Sequence, residues 1–212
     1  MQSKSLRLVD KQGREWALRS VEKSPDALLP ENLRQTFARE WIDDATSAQH
    51  PFSALIVPPI AKALKVPHAV PVIGFVSPDT ALGIHGRVFE NTVALLEERE
   101  PLGDSDNSEK MKKNLKQDND NKILAKEFLN ARMLDVLVGD WDRHEDQWRW
   151  FDIAKGKTKH YLGIPRDRDQ VFHVTQGLFP KLASRSYVLP TLRDFDKDIS
   201  KIKWVLFKTR FV

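Results

Sequence analysis

A dense polar segment directly after a helix-like apolar run is the feature that most constrains this chain. The apolar run covers 124–138, and the segment Gly139–Trp148 holds four acids, a histidine, an arginine and an amide in ten residues. A second acidic cluster follows at Arg166–Phe172. Charged side chains are almost never fully buried unless they are paired, so the segment is either a solvated surface turn or a site. The preceding helix and the second cluster favour a site.

Two carboxylate-bearing segments on separate elements suit phosphoryl transfer. That reaction needs an aspartate that positions or deprotonates the attacking hydroxyl, and a second carboxylate that holds a metal against the nucleotide phosphates. Kinase catalytic loops also place a metal-binding amide five residues after the catalytic aspartate, and Asp142 and Gln147 have that spacing. The spacing therefore predicts a catalytic loop, although Asp140 competes with Asp142 if the segment is extended.

The motif Asp142-Arg143-His144 with Gln147 resembles the Asp-Arg-His-x-x-Asn catalytic loop of the phosphoinositide 3/4-kinases. It is also similar to the Asp-Arg-His segment of the Golgi casein kinase family and to the catalytic loop of the HipA kinases. The chain further resembles a bacterial domain of envelope-associated proteins, at 48–55, 57–59, 139–150 and 164–172. In all, the resemblance covers about residues 6 to 180. Two features depart from it: Gln147 stands where Asn is usual, and there is no Asp-Phe-Gly.

The resemblance implies an α+β, two-lobed atypical protein-kinase-like fold that uses ATP and Mg to phosphorylate a hydroxyl acceptor. Asp142 would then orient the acceptor hydroxyl. Arg143 would form an ion pair within the loop or contact a phosphate. His144 would order the loop through its two ring nitrogens, or simply pack against a backbone carbonyl.

The second acidic cluster supplies the expected metal ligands. Its Asp-Arg-Asp-Gln-Val-Phe sequence is similar to the Asp-x-x-x-x-Phe that follows the catalytic loop in the related kinases, which makes Asp167 the first choice and Asp169 the alternative. Magnesium prefers one or two carboxylates with phosphate oxygens and water. One of these aspartates together with the Gln147 amide would therefore suffice.

The related kinases carry an aliphatic-x-x-Lys motif on a strand that holds the nucleotide phosphates. The corresponding position here is Arg19, with Lys23 as runner-up. Arginine grips phosphate bidentately, but its size and geometry differ from those of lysine. We expect its acidic partner on the following helix, with Glu40 as the first choice. Asp43 and Asp44 compete with it.

Glu97 and Glu98 lie where the related kinases have the hinge, whose backbone pairs with adenine. They follow the β-prone run 91–96 and precede Pro101. No glycine-rich phosphate loop is present, since the turn at 10–13 has one glycine. The nucleotide-binding residues expected from the resemblance are therefore Arg19, Glu40, Glu97 and Glu98.

Residue patterns predict two lobes separated by a polar insertion. The N-lobe, 1–101, should contain a hairpin (6–9 with 15–19), helices at 33–48 and 55–64, and strands at 70–76, 81–84 and 91–96. The segment 102–122 is almost wholly polar, which favours an exposed, mobile insertion that buries nothing. The C-lobe, 123–212, should contain the helix 124–138, ended by Gly139, and a hairpin formed by 148–152 and 159–164.

Composition excludes several other classes. An apolar fraction of 41% with 30% charged residues is ordinary for a soluble protein. No apolar run approaches the ~20 residues of a membrane helix, and the first residues lack the apolar core of a signal peptide. The absence of cysteine excludes disulfides and cysteine-ligated zinc. The sequence has no basic stripe of the kind that would predict nucleic-acid binding. The resemblance implies a periplasmic or envelope-associated location.

Three rival functions fit the same residues. A non-catalytic nucleotide-binding module that regulates a fused partner would keep them all, so turnover alone distinguishes it. A metal-dependent phosphohydrolase would want several histidines and aspartates converging on two metals, and of the six histidines only His144 lies in the cluster. A plain protein-interaction domain would not need two dense acidic loops.

Overall fold

The computed structural model describes residues 3–23, 36, 50–141, 143–174 and 195. The strands are β1 (Ser3–Val9), β2 (Glu15–Lys23), β3 (Val72–Val76), β4 (Thr92–Glu98), β5 (Lys122–Ile123), β6 (Trp148–Asp152) and β7 (His160–Pro165). The α-helices are α1 (Ser53–Ala63), α2 (Gly86–Phe89), α3 (Ser108–Gln117) and α4 (Ala125–Val138). Short 3-10 helices span Thr80–His85 and Glu145–Gln147. The predicted α+β fold class is confirmed.

An antiparallel sheet with the order β1-β2-β4-β3 forms the first half of the fold. The predicted β1–β2 hairpin is confirmed, with Leu8 opposite Trp16. The Asp10 carboxylate closes its turn by accepting hydrogen bonds from the backbone N–H groups of Gln12 and Arg14. Gly13 has a φ of 79°, a conformation that costs little only for glycine. This sheet presents β2 and β4 as neighbours, which matters for the site.

A smaller sheet with the order β5-β7-β6 follows α4. Its β6–β7 hairpin is the one predicted, and Trp150 pairs with Gly163 across it. A Cβ at Gly163 would lie 3.2 Å from the rings of both Trp148 and Trp150. Glycine therefore lets the two stacked indoles, whose centroids are 5.8 Å apart, lie flat on the strand. The hairpin ends at Pro165, directly before the second acidic cluster.

The main core lies between the helices and this second sheet. Its fully buried members come from α1, α3, α4, β6 and β7 and include Val57, Ala61, Met111, Ala131, Leu134, Val138, Trp148, Trp150 and Tyr161. The predicted α4 stripe is confirmed at Ala131, Leu134 and Val138. Gly139 ends α4 in the left-handed conformation with φ 68°, as predicted. Its N–H and that of Asp140 bond to the last helical carbonyls.

The prediction that 102–122 is a mobile insertion without core contacts is wrong. Residues 108–117 form α3, and its Met111 is fully buried in the main core. The side chain of Asn107 caps the helix by accepting from the N–H of Lys110. Composition misled because one large apolar side chain, with Leu115 four residues later on the same face, is enough to anchor a ten-residue helix.

Two further predictions for the N-terminal half have different outcomes. The strand predicted at 81–84 is wrong, because this segment belongs to the 3-10 helix Thr80–His85. The Asp79 carboxylate caps that helix through the N–H of Ala81, and Gly83 turns the backbone to φ 53°. The helix predicted at 33–48 lies outside the described residues. Within the part of the chain described here, no helix is long and apolar enough to cross a membrane.

Replacing Met111 with alanine should lower the free energy of unfolding by about 2–5 kcal/mol, because the cavity lies in a closed core. The matched control is Met133→Ala on α4, where the side chain is 53% exposed and a change of about 0.5 kcal/mol or less is expected. Urea denaturation of both variants measures the difference. Equal losses of unfolding free energy in the two variants would contradict a structural role for 102–122.

Candidate functional site

A cation from the first sheet meets two carboxylates at the centre of the molecule. Arg19 lies on β2, and its Nη1 is 3.1 Å from Oε2 of Glu97 on β4. The same Nη1 is 3.4 Å from Oδ1 of Asp167, in the loop after β7. Since Arg19 pairs with Leu95 and Ala17 pairs with Glu97, the two charged residues are diagonal neighbours on one face. Three residues predicted for the nucleotide and metal sites are thus brought together.

Burial sets the electrostatics of this cluster. Burial raises the pKa of Glu97, and Asp167 acts in the same direction while Arg19 opposes it. Burial disfavours the charged Arg19 guanidinium, but the Asp167 and Glu97 carboxylates outweigh that effect and raise its pKa. Each charge is therefore costly alone and is stabilised by its neighbours.

Asp167 is held in an unusual backbone conformation beside a second carboxylate. Its φ of 57° is in the left-handed region, which is uncommon for residues other than glycine and concentrates at functional sites. Burial and the neighbouring Asp169 both raise the pKa of Asp167. The Asp169 backbone carbonyl accepts a 3.4 Å hydrogen bond from the Ser53 hydroxyl, which ties the loop to α1.

The predicted catalytic segment is organised around Arg143, which is fully buried. Its guanidinium forms an ion pair with Asp140, and its Nε is 3.4 Å from Asp135 of α4. Its Nη1 donates to Oε1 of Gln147 at 3.2 Å and to the backbone carbonyl of Arg166. Of the two roles predicted for Arg143, the structure shows the ion pair within the loop.

More buried charges surround Arg143. Arg168 lies 2.7 Å from Asp135 and 3.8 Å from Asp140, and Arg132 also pairs with Asp135. Burial raises the pKa of Asp140 to about 6, with Asp135 acting in the same direction and Arg143 opposing both. Buried ions like these persist only because every carboxylate faces a guanidinium.

The predicted hairpin does bring the second acidic cluster beside the first. The N–H of Arg166 donates to the backbone carbonyl of Gln147 at 2.9 Å, at the start of the hairpin. The N–H of Phe172 donates to the carbonyl of Val138 at 3.0 Å, at the end of α4. Both polar segments therefore line one region of the fold.

The remaining predicted residues are placed less directly. Gln147 is buried with its amide oxygen turned to Arg143, while His144 is partly exposed, with Nδ1 3.7 Å from Asp146. Glu98 lies opposite Trp16 on β2. Asp142, Glu40, Asp43 and Asp44 lie outside the described residues, and Lys23 ends β2. Within the described residues, no three or more histidine, aspartate or glutamate side chains cluster as metal ligands.

Two cavities lie beside the loop after β7, and Arg166 lines both. The larger is a groove with about 850 Å³ of empty space, lined by Arg99, Asn107, Ser108, Glu109, Glu145, Asp146, Trp148, Arg149 and Arg166. The smaller, about 300 Å³, is lined by α1, by 68–71, by Glu97 and by 165–168.

Sequence reasoning missed two features of the site. It assigned Glu97 to a backbone hinge and sought the partner of Arg19 on a helix, whereas the Glu97 side chain is a partner. The strand alternation of β4 was the available signal, because it puts Leu95 and Glu97 on one face. The buried roles of Asp135 and Arg168 had no signal, since a charged helix residue is usually solvated.

Comparison with known proteins finds similarity among solved structures. No protein-family model and no curated protein matches the chain. Among solved structures, it is similar to the crystal structure of a Helicobacter pylori proinflammatory kinase, CtkA, with 12% identity and a TM-score of 0.43. The match covers 92% of this chain but only 66% of that chain, just under two thirds of its length.

Replacing Arg143 with methionine should lower the free energy of unfolding by about 3–5 kcal/mol, because Asp140 and Asp135 would stay buried with less counter-charge. The control is Arg7→Met, which removes an exposed pair with Glu15 and should cost about 0–1 kcal/mol. Chemical denaturation at neutral pH compares them. A loss at Arg143 no larger than at Arg7 would contradict the organising role of the buried guanidinium.

The pKa of Asp140 gives a pH dependence with a definite sign. The folded protein keeps this proton up to about pH 6, whereas the unfolded chain releases it near about pH 4. The folded state thus binds more protons between these values, so the contribution of Asp140 to stability is present below about pH 4 and lost as pH rises to about 6. Relative to Asp140→Asn, wild type should lose stability across this window in denaturation measured at several pH values. A difference that grows in favour of wild type would contradict the assignment.

Proposed function

We propose that this chain is a kinase-like phosphotransferase that uses ATP and Mg to phosphorylate a hydroxyl acceptor. Its lobes would meet near residue 101. The observation that carries the proposal is the Arg19–Asp167 contact of 3.4 Å. A phosphate-binding cation on a sheet and a metal-binding carboxylate on a separate loop are the two charges that must converge on the nucleotide phosphates.

Arg19 would hold the phosphates, with Glu97 as its positioning partner. The guanidinium fork matches phosphate geometry, and a partner at 3.1 Å limits its rotation. Binding of the phosphates would also replace the carboxylates that now face Arg19. The groove lined by Arg99, Trp148 and Arg166 offers space for the rest of the nucleotide.

Asp167 and Asp169 have the chemistry of a magnesium site. Asp169 raises the pKa of Asp167, and a divalent cation would relieve this repulsion; Mg²⁺ accepts one or two such ligands beside phosphate oxygens and water. When bound, the ion would neutralise charge on the transferred phosphoryl group. Gln147 fits less well, because Arg143 already uses its amide oxygen, although a carbonyl has a second lone pair.

Asp142 would orient the acceptor hydroxyl. It follows Trp141 and precedes the buried Arg143, whose ion pair with Asp140 fixes the chain on one side. His144 would contribute to the order of the loop. We also expect Asp142 and Asp167 to approach each other across one cleft, with Gln147 between them.

A non-catalytic nucleotide-binding module is the second candidate. Arg19 is held by two carboxylates and must change partners before it can serve a nucleotide, and a metal at Gln147 would have to share its amide oxygen with Arg143. A module that only binds nucleotide would need the first exchange alone. ATP turnover separates the two candidates.

Asp167→Asn should weaken Mg-dependent ATP binding more than Asp142→Asn, because only Asp167 is assigned to the metal. Calorimetric titration with ATP, with and without Mg, measures both. In addition, ATP at a hundred times its dissociation constant should raise the free energy of unfolding of wild type by about 2.7 kcal/mol. The control Asp120→Asn removes an exposed carboxylate that lines neither cavity and should bind like wild type.

Each outcome of that experiment is informative. Equal losses for Asp167→Asn and Asp142→Asn would contradict the division of roles. If wild type shows no Mg-dependent binding of ATP, the kinase proposal is wrong. Binding without turnover would favour the non-catalytic module.

A further inference from the structure

Three arginines line the larger groove. Arg99 follows β4, Arg149 lies on β6, and Arg166 follows β7. They come from three separate elements and share one groove of about 850 Å³ of empty space. Sequence reasoning assigned a role to none of them.

The guanidinium of Arg166 is the least compensated of the three. Arg149 pairs with Glu100 and also donates to Ser105, and Arg99 has Glu15 at 3.6 Å. Among the ion pairs of the described residues, none within 4.0 Å involves Arg166. Its side chain makes one weak hydrogen bond, from Nη1 to the Arg99 carbonyl at 3.5 Å.

Like charges gather in this groove. Arg99 and Arg149 line it together with Arg166. Burial lowers the pKa of Arg99, and Arg7 and Arg149 add to that effect while Glu15 and Glu100 oppose it. Like charges held together in this way attract an anion, because the anion relieves their repulsion.

Three carboxylates also line the groove, but they are more exposed than Arg99 and Arg149. Glu145 pairs with Lys112 of α3. Asp146 is 87% exposed and lies 3.7 Å from His144, and Glu109 is exposed in the first turn of α3. The cations are therefore the more buried of the charges in the groove.

We propose that this groove binds a phosphate group of an anionic ligand, with Arg166 as the direct contact and Arg99 and Arg149 as supporting charges. A planar fork of N–H donors without a carboxylate partner suits bidentate phosphate binding. The phosphate could belong to the ATP of the proposed function, and only in that case does the inference rest on it. A free inorganic polyphosphate has the same chemistry.

The test is calorimetric titration of the full chain with inorganic tripolyphosphate, without Mg, followed by ATP and adenosine. Tripolyphosphate should bind wild type, and the affinity should fall about tenfold or more in Arg166→Gln, as loss of a charge-assisted contact requires. Arg166→Lys should recover part of the affinity. The control Arg87→Gln removes one positive charge from an exposed site outside the groove and should bind like wild type.

The sources of the phosphate are distinguished by comparing ligands. ATP binding that is tighter than tripolyphosphate and depends on Arg166 identifies a nucleotide, and equal affinities identify polyphosphate; both support the inference. No tripolyphosphate binding, or equal affinity in wild type and Arg166→Gln, overturns it. Melting curves of both Arg166 variants establish that they are folded.

Failure of this inference is separable from failure of the kinase proposal. The titration contains no Mg and needs neither Asp167 nor turnover. Arg166-dependent binding without Mg-dependent ATP turnover overturns the kinase proposal alone. Turnover that is unchanged in Arg166→Gln, with no binding of tripolyphosphate, overturns the phosphate groove alone.

Discussion

The buried guanidinium of Arg143 is the interaction on which the rest of the structure depends. It pairs with Asp140 directly after α4, reaches Asp135 within α4, and donates to Gln147 and to the carbonyl of Arg166. One side chain thus connects the helix, the polar segment and the loop after β7. A buried guanidinium without partners would be costly. The three elements must therefore stay together for Arg143 to remain buried. This requirement fixes the acidic loops more firmly than their own backbone could.

The loop that Arg143 holds in place carries two adjacent charged residues with different contacts. Arg166 lines the groove with Arg99 and Arg149, while the adjacent Asp167 contacts Arg19. The left-handed backbone of Asp167, with φ 57°, turns the chain at this junction. Strain of about 1–3 kcal/mol at such a residue persists only where the surroundings enforce it. Here the Arg166 N–H bond to Gln147 and the Arg143 bond to the Arg166 carbonyl supply that enforcement.

Sequence reasoning recovered what depends on local patterns. The hairpins, the stripe of α4 and its Gly139 end follow from strand alternation, helical spacing and glycine chemistry, and all three are confirmed. It failed where one residue outweighs the composition around it. Met111 anchors α3 in a polar segment, and Asp79 with Gly83 turns a β-prone run into a 3-10 helix. Partner choice also failed, because the alternation of β4 shows which residues share a face but not that β2 is the neighbouring strand.

The arrangement of charges carries a further consequence for how the site would respond to a ligand. Arg19 is neutralised by Glu97 and Asp167, whereas Arg166 lacks such a partner among the described ion pairs. An anion at Arg166 therefore displaces no ion-pair partner among the described residues, whereas an anion at Arg19 must first displace a carboxylate. Once an anion is held at Arg166, a cation at Asp167 would free Arg19 for the same ligand. The two adjacent residues could in this way order the binding events, with the anion engaged first at the groove and the metal and Arg19 engaged afterwards.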